Sequence, residues 1–209
     1  MNPTSLDGPV TRPPPLHVSL EAGVLTLTNT DAPWNRMSLD YMDAVEHAVR
    51  LAASDPQVRA LVFTAQGDEN FSVGMDLKQI AERMADTPAL EQLLDQRLRV
   101  LAMIESLEKP SIATLFGYCL GGGLELPLAC HFRLAADTGA SIGLPEVELG
   151  VVPAWGGTAR LTRCVGRDQA LDLMLRARKI DGHEALKTGL VTASDYDLLV
   201  DPGKMISPG

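Results

Sequence analysis

Leu120-Gly121-Gly122-Gly123-Leu124-Glu125 lies between a β-like run, Ser111 to Cys119, and a helical one, Leu124 to Cys130. A strand that stops in three glycines and restarts as a helix leaves backbone N–H groups free at a helix N-terminus, where negative charge is favoured. No side chain there blocks the close approach of a ligand. A carboxylate, Glu125, follows within the first helical turn. Donors able to stabilise an oxyanion, beside a group able to move a proton, are the two parts that enolate chemistry needs. Three glycines alone are more often a turn or a tight packing point, so the flanking segments decide the reading.

Outward from this junction, strands alternate with helices. Val18 to Thr28 alternates around Gly23 and reads as a hairpin. Ser38 is placed to cap a helix with Leu39, Met42, Val45, Val49 and Ala52 on one face, ending near Asp55-Pro56. Ala60 to Ala65 reads as a buried strand, Gln66 to Asn70 as a polar turn, and Asp76 to Lys109 as mostly helix with a break at Asp86-Thr87-Pro88. Phe132 to Ala136 is a short strand, Arg167 to Lys179 an amphipathic helix and Gly182 to Lys187 a shorter one. The order predicts an α/β fold with parallel strands, without an internal sequence repeat. Residues 1–15, rich in proline, read as a flexible tail, 16–191 as the folded core, and 192–209 as an irregular C-terminal tail.

The 209 residues suit one domain with a real core. A net charge of −9 argues against a nucleic-acid surface, though backbone donors and a local cation still allow an anionic ligand. Cys119, Cys130 and Cys164 are scattered and odd in number, which favours free thiols over disulfides or a metal cluster. No apolar run approaches a membrane span and the N-terminus lacks a signal pattern, so a cytoplasmic protein without a membrane partner is expected.

Two further segments carry chemistry. In Asn70-Phe71-Ser72-Val73-Gly74-Met75-Asp76-Leu77-Lys78 a strand ends, a glycine permits a sharp turn and a helix begins near Asp76. The Met75 N–H can then face a ligand as that of Gly122 can, and two such donors on one carbonyl oxygen form an oxyanion hole. Alone, the segment is more often an ordinary loop-to-helix junction, with Asp76 favourable to the helix dipole. Ile142 to Thr158 is so punctuated by glycine and proline that it reads mostly as turn and loop, the kind of segment that carries sites on rigid scaffolds. Within it Glu146 follows Pro145 and precedes Val147, an apolar setting that raises a carboxyl pKa. Glu148 is equally available on this evidence.

Taken in order, Gly74-Met75-Asp76-Leu77-Lys78, the triple glycine with Glu125, and Leu144-Pro145-Glu146 followed by Pro153 and Gly156-Gly157-Thr158 resemble the crotonase superfamily, the enoyl-CoA hydratase/isomerase group. Asn35-Arg36-Met37-Ser38, Lys109-Pro110 and Gly189-Leu190-Val191 match as well, so the resemblance covers roughly Val18 to Val191. It implies a spiral of repeated ββα units, assembly as a trimer or a dimer of trimers, and an acyl-CoA thioester whose carbonyl oxygen lies between the N–H groups of Met75 and Gly122. It places Gly74, Asp76, Leu77, Lys78, Gly121 and Pro145 against the substrate, with Lys78 near the CoA phosphates, and Trp155 either lining the acyl pocket or packing. It assigns Glu125 and Glu146 to the water added across the 2,3 double bond, Glu125 as base towards water and Glu146 as acid towards Cα. Coenzyme A is then part of the substrate, and no cofactor or metal is implied. A hydratase-type lyase is expected, with an enoyl-CoA isomerase or a non-catalytic acyl-CoA-binding or subunit-interaction homologue as alternatives.

Four departures from the family pattern carry expectations of their own. Met75 replaces a smaller residue and can narrow the pocket. Pro127, inside the helix after the glycines, is expected to kink it and disturb the aim of Glu125. His131 stands where an acid is common and is expected to be structural. The chain ends at Gly209, so the C-terminal helical region of the family is expected to be largely missing.

Overall fold

The alternation around Gly23 folds into an antiparallel hairpin of β1 (Leu16–Glu21) and β2 (Val24–Asn29), with Leu16 opposite Asn29 and Glu21 opposite Val24. The turn residues Ala22 and Gly23 both have positive φ, which matches the right-handed twist of the flanking strands. The computed structural model describes residues 14–84 and 87–194 of the chain. Most of the tail expected over residues 1–15 lies outside the described residues. Its last two are tied down, the carbonyls of Pro14 and Pro15 accepting from Thr30 Oγ1 at 2.6 Å and Thr30 N at 3.1 Å.

Helix α1 (Leu39–Ser54) starts at the expected cap, Ser38 Oγ accepting from Tyr41 N at 3.1 Å. It buries Met42, Val45, Val49 and Ala52 and stops before Asp55-Pro56. Lys109 reaches its carbonyl end, Nζ donating to Ala52 O at 2.5 Å and Asp55 O at 2.6 Å. A cation there satisfies orphan carbonyls and opposes the helix dipole, which gives Lys109-Pro110 a structural role.

A spiral of ββα turns follows. Its first turn is β3 (Ala60–Ala65), β4 (Asn70–Ser72), α2 (Leu77–Met84) and α3 (Thr87–Glu105). The second is β5 (Ser111–Leu115), β6 (Tyr118–Leu120) and α4 (Gly122–Ala129). The third is β7 (Phe132–Ala135), β8 (Ser141–Gly143), a single 3-10 turn (Glu146–Leu149) and α5 (Gly157–Val165). Helices α6 (Arg167–Leu175) and α7 (Gly182–Lys187) lead to β9 (Ala193–Ser194). The first strand of each turn joins a six-stranded sheet, β1-β2-β3-β5-β7-β9, and the second joins a three-stranded one, β4-β6-β8. Every pair after the opening hairpin is parallel.

Several boundaries differ from the sequence reading. Ser111 to Cys119 is two strands in different sheets, divided at Phe116-Gly117. A Cβ on Gly117, at φ 51°, would lie 1.6 Å from Glu69 O, so only glycine lets the chain cross there. Helix α4 begins at Gly122 and runs through Pro127 to Ala129, so the proline lies inside a continuous helix and beyond Glu125. Gly157 opens a helix, α5, where loop was read. Helix α6 stops at Leu175, short of Lys179, because Ala177 takes a positive φ of 49°. Within the tail expected over 192–209, Ala193 and Ser194 pair with Leu134 and Ala135 of β7, and residues 195–209 lie outside the described residues.

Leu27, Phe63, Leu101, Ile104, Leu115, Leu124 and Leu126 are fully buried in one main core. All three cysteines are free, Cys119 and Cys130 buried within that core. His131 is structural as read: its Nδ1 meets Ser111 N at 3.0 Å and Ser111 Oγ at 2.9 Å. Among the described residues no helix is long and apolar enough to cross a membrane.

Asn35 locks the segment before α1 to the β3–β4 turn. It is fully buried at φ 48°, and its Nδ2 donates to Gln66 O at 3.0 Å and Asn70 O at 2.7 Å. Asn70 in turn donates to Pro33 O at 2.9 Å and accepts from Tyr118 N at 3.0 Å. Asn35→Ala takes the amide donor from the buried Asn70 carbonyl and the part-buried Gln66 carbonyl, and puts a non-glycine Cβ in a left-handed conformation without the compensating amide. A loss of about 2–3 kcal/mol is expected in urea unfolding, and an unchanged midpoint would show the lock to be slack.

Candidate active site

Because β4, β6 and β8 are neighbouring parallel strands, their C-terminal ends lie side by side. The three following loops, Val73 to Asp76, Gly121 to Gly123 and Leu144 to Glu146, therefore reach one edge of the small sheet. These are the three segments singled out in the sequence.

The first two loops touch. Gly74 turns at φ 95°, its N–H donating to Ser72 Oγ at 3.0 Å and its carbonyl accepting from Met37 N at 2.8 Å. A Cβ there would lie 2.7 Å from Leu120 O and 3.4 Å from Gly122 N. Gly122 is the first residue of α4, so its N–H has no partner within the helix. Neither it nor the Met75 N–H donates to another group among the described residues. The Met75 side chain packs partly against the main core.

Glu125, one helical turn on, is 3% exposed. Its Oε1 accepts from Trp155 N and Gly157 N, both at 2.8 Å. Gly157 opens α5, so the carboxylate sits at a helix N-terminus, where its charge is favoured. Burial outweighs that and pushes Glu125 up to about 7; the Gly157 and Trp155 hydrogen bonds and Arg160 oppose the rise, and the charge of Glu146 adds to it. Glu146 itself is half-buried, and burial raises its pKa. Its Oε1 lies over the glycine loop, 3.2 Å from where a Cβ on Gly121 would sit, and its Oε2 is buried without a partner. The loop is held in place by Gly121 N donating to Gly143 O at 3.1 Å. Two carboxyls with raised pKa values thus stand near the triple glycine, Glu146 over Gly121 and Glu125 one turn into α4. The charge of Glu146 favours the protonated form of Glu125, which holds its proton towards the neutral range.

The remaining sequence candidates fall into two groups. Asp76 acts on its own helix, Oδ1 accepting from Lys78 N at 3.1 Å and Gln79 N at 3.4 Å, while Leu77 and Lys78 are exposed at the start of α2. Pro145 is half-buried just before the 3-10 turn. Trp155 is fully buried, its ring 2.6 Å from where a Cβ on Gly122 would be and the Arg97 guanidinium 5.6 Å from its centroid. It packs behind the glycine loop. Glu148 is exposed and paired with Lys179 at 3.1 Å, which separates it from Glu146. Sequence reasoning missed the backbone of Trp155 and Gly157 as the cradle of Glu125. The available signal was a Gly-Gly pair opening a helix, which leaves donors free for a distant acid.

Comparison with known proteins agrees with this arrangement. The enoyl-CoA hydratase/isomerase family model matches residues 19–197. A probable enoyl-CoA hydratase of Bacillus subtilis (strain 168) is 34% identical over 194 residues, 92% of this chain and 74% of that protein. The fatty acid oxidation complex subunit alpha of Shewanella sp. (strain W3-18-1) is 38% identical over 171 residues, 80% of this chain and 24% of that subunit. The chain therefore spans about a quarter of the length of that larger relative. A solved structure of an enoyl-CoA hydratase from Bacillus anthracis superposes with a TM-score of 0.83 at 31% identity, covering 92% of this chain and 74% of the other. With the spiral, the small-sheet loops and the matched segment all in accord, the chain belongs to the enoyl-CoA hydratase/isomerase family.

Proposed function

We propose that the protein is an enoyl-CoA hydratase-type lyase, which adds water across the 2,3 double bond of an enoyl-CoA thioester. The observation that carries this reading is the pair Glu125 and Glu146 flanking a glycine loop that leaves a backbone donor free. The thioester carbonyl oxygen accepts from Met75 N and Gly122 N, which stabilise the charge it gains as Cβ is attacked. Glu125 takes a proton from the attacking water, and Glu146 delivers one to Cα of the enolate. One proton enters the pair as one leaves, so its total charge is unchanged, and the proton left on Glu125 passes to Glu146, directly or through water, before the next turnover. The buried, unpartnered Oε2 of Glu146 suits a group that carries the proton, and the two N–H donors to Glu125 suit a group that carries the charge.

Gly74, Gly121 and Pro145 shape the carbonyl site, and the exposed Lys78 beside Asp76 and Leu77 supplies positive charge for the CoA phosphates. The enolate chemistry needs no cofactor beyond the coenzyme A carried by the substrate. A homotrimer or a dimer of trimers in the cytoplasm is part of the same proposal.

Turnover of trans-2-enoyl-CoA thioesters in labelled water tests it, with mass analysis of the product. Label is expected in a 3-hydroxyacyl-CoA. A rearranged, unlabelled enoyl product would assign an isomerase instead, and tight acyl-CoA binding without turnover would assign a non-catalytic homologue.

A further inference from the structure

The two N–H groups that hold Glu125 come from one bend, Trp155-Gly156-Gly157. Gly156, at its centre, has φ 86° and no side chain to stiffen it. What holds the bend is Arg160. Its Nη1 donates to Trp155 O at 2.9 Å, on the same residue whose N–H donates to Glu125. The guanidinium lies close against the bend, its Nη1 only 2.4 Å from where a Cβ on Gly156 would be. Its other edge forks onto one oxygen of Glu105 at the end of α3, Nε at 3.1 Å and Nη2 at 2.9 Å. Arg163 holds the second Glu105 oxygen at 2.9 Å. Arg160 is 8% exposed and its bond to Trp155 O is buried, whereas Glu105 and Arg163 are open to water.

We propose that Arg160 is a positioning residue for Glu125: braced by Glu105, it fixes the Trp155-Gly156-Gly157 bend so that both N–H groups stay on the carboxylate. This inference rests on the hydratase reading. A planar guanidinium can bond a carbonyl and a carboxylate at once, which a lysine ammonium on its flexible stem cannot reproduce in the same geometry. Without it the buried Trp155 carbonyl loses its donor and the bend turns at Gly156.

The consequence is a change in proton affinity. Around α4, helix α3 carries Glu91, Asp95, Arg97, Arg99 and Glu105, α5 carries Arg160 and Arg163, β7 carries Arg133 and the neighbouring 3-10 turn carries Glu146; Cys119 of β6 and Cys130 at the end of α4 are buried thiols. Of these, Glu146 and Arg160 act on Glu125 by charge. Removing Arg160 takes away a nearby cation and loosens two hydrogen bonds, and all three losses favour the protonated acid. The hydratase needs one proton on the pair, so its rate falls at high pH as the last proton leaves, a limb that burial of both carboxyls raises above the ordinary carboxylate range. Losing Arg160 moves that alkaline limb upward.

The test is the pH dependence of kcat/KM for hydration in wild type, Arg160→Gln and Arg160→Lys. The glutamine variant is expected to shift the alkaline limb up by about one pH unit. The lysine variant, which keeps the charge but not the fork, is expected to recover about half of that shift. A residue that only stabilised the fold would lower the rate at every pH and leave the limb in place, and that result overturns the proposal. If the glutamine variant does not fold, the lysine variant decides alone: an upward shift supports positioning, and an unmoved limb refutes it. A wild-type profile with no alkaline limb above the ordinary carboxylate range would instead count against the paired-carboxylate reading itself.

Discussion

Glu125→Gln and Glu146→Gln are each expected to lower the rate of enoyl-CoA hydration by about 10³-fold or more, with acyl-CoA affinity changed only a few-fold. General acid–base groups contribute roughly 10²–10⁴ each, and a pair acting as a unit loses most of its effect when either member is removed. Glutamine suits the test because its amide oxygen can still accept from Trp155 N and Gly157 N, so the bend around Glu125 is retained. What the substitution removes is the proton. Stability separates this from misfolding, and the sign is fixed by linkage. Burial raises Glu125 from 4.5 to about 7. Its stabilising contribution is therefore complete below its unfolded value and is lost as pH rises through about 7. At pH 8 the Glu125→Gln protein, with nothing to ionise, should unfold no more easily than wild type. Full hydration rates in both variants would end the hydratase assignment; a lost rate with lost stability would leave the fold, and not proton transfer, as the cause.

The features readable in the sequence were those fixed by near neighbours. Ser38 capping α1 and the apolar stripe behind it depend on residues within a few turns, and both stand as read. The crossing at Gly117 does not. It is set by the carbonyl of Glu69, in the bend just before β4 and far back in the chain, so an unbroken apolar run from Ser111 to Cys119 concealed a change of sheet. The start of α5 was hidden for a related reason. Gly156-Gly157 has the composition of a loop, and the acceptor that uses its free N–H group, Glu125, lies some thirty positions earlier. The candidate site divides in the same way. Each glycine or Pro-Glu segment was visible as a strand-to-helix junction, but that three of them meet follows from the order β4-β6-β8. Pro127 shows a local rule overridden. Every residue of α4 is buried, and packing on all sides keeps a helix intact that an isolated proline would break.

Gly74→Ala is expected to produce the second large loss, about 10²–10³ in kcat. The new Cβ would lie 2.7 Å from Leu120 O and 3.4 Å from Gly122 N, and both are backbone atoms that cannot swing aside. The loop carrying Met75 must then move away from the loop carrying Gly122. A hole made of two donors works only while both reach the same oxygen, and loss of one such donor typically costs about 3–4 kcal/mol in the transition state. The loss should fall mainly on kcat, because the oxygen gains most of its charge after binding. Backbone strain contributes as well, since Gly74 sits at φ 95°, and strain alone would lower stability without touching catalysis. Gly67→Ala separates the two effects. Gly67 has a comparable φ of 82°, but nothing lies within 4 Å of its added Cβ, so the strain is similar and the loops of the site stay where they are. Both variants should lose about 1 kcal/mol or more in denaturant unfolding, and only Gly74→Ala should lose turnover. If Gly67→Ala lowered kcat as far as Gly74→Ala, strain would account for the loss, and the close approach of the two loops would have no part in holding the carbonyl oxygen.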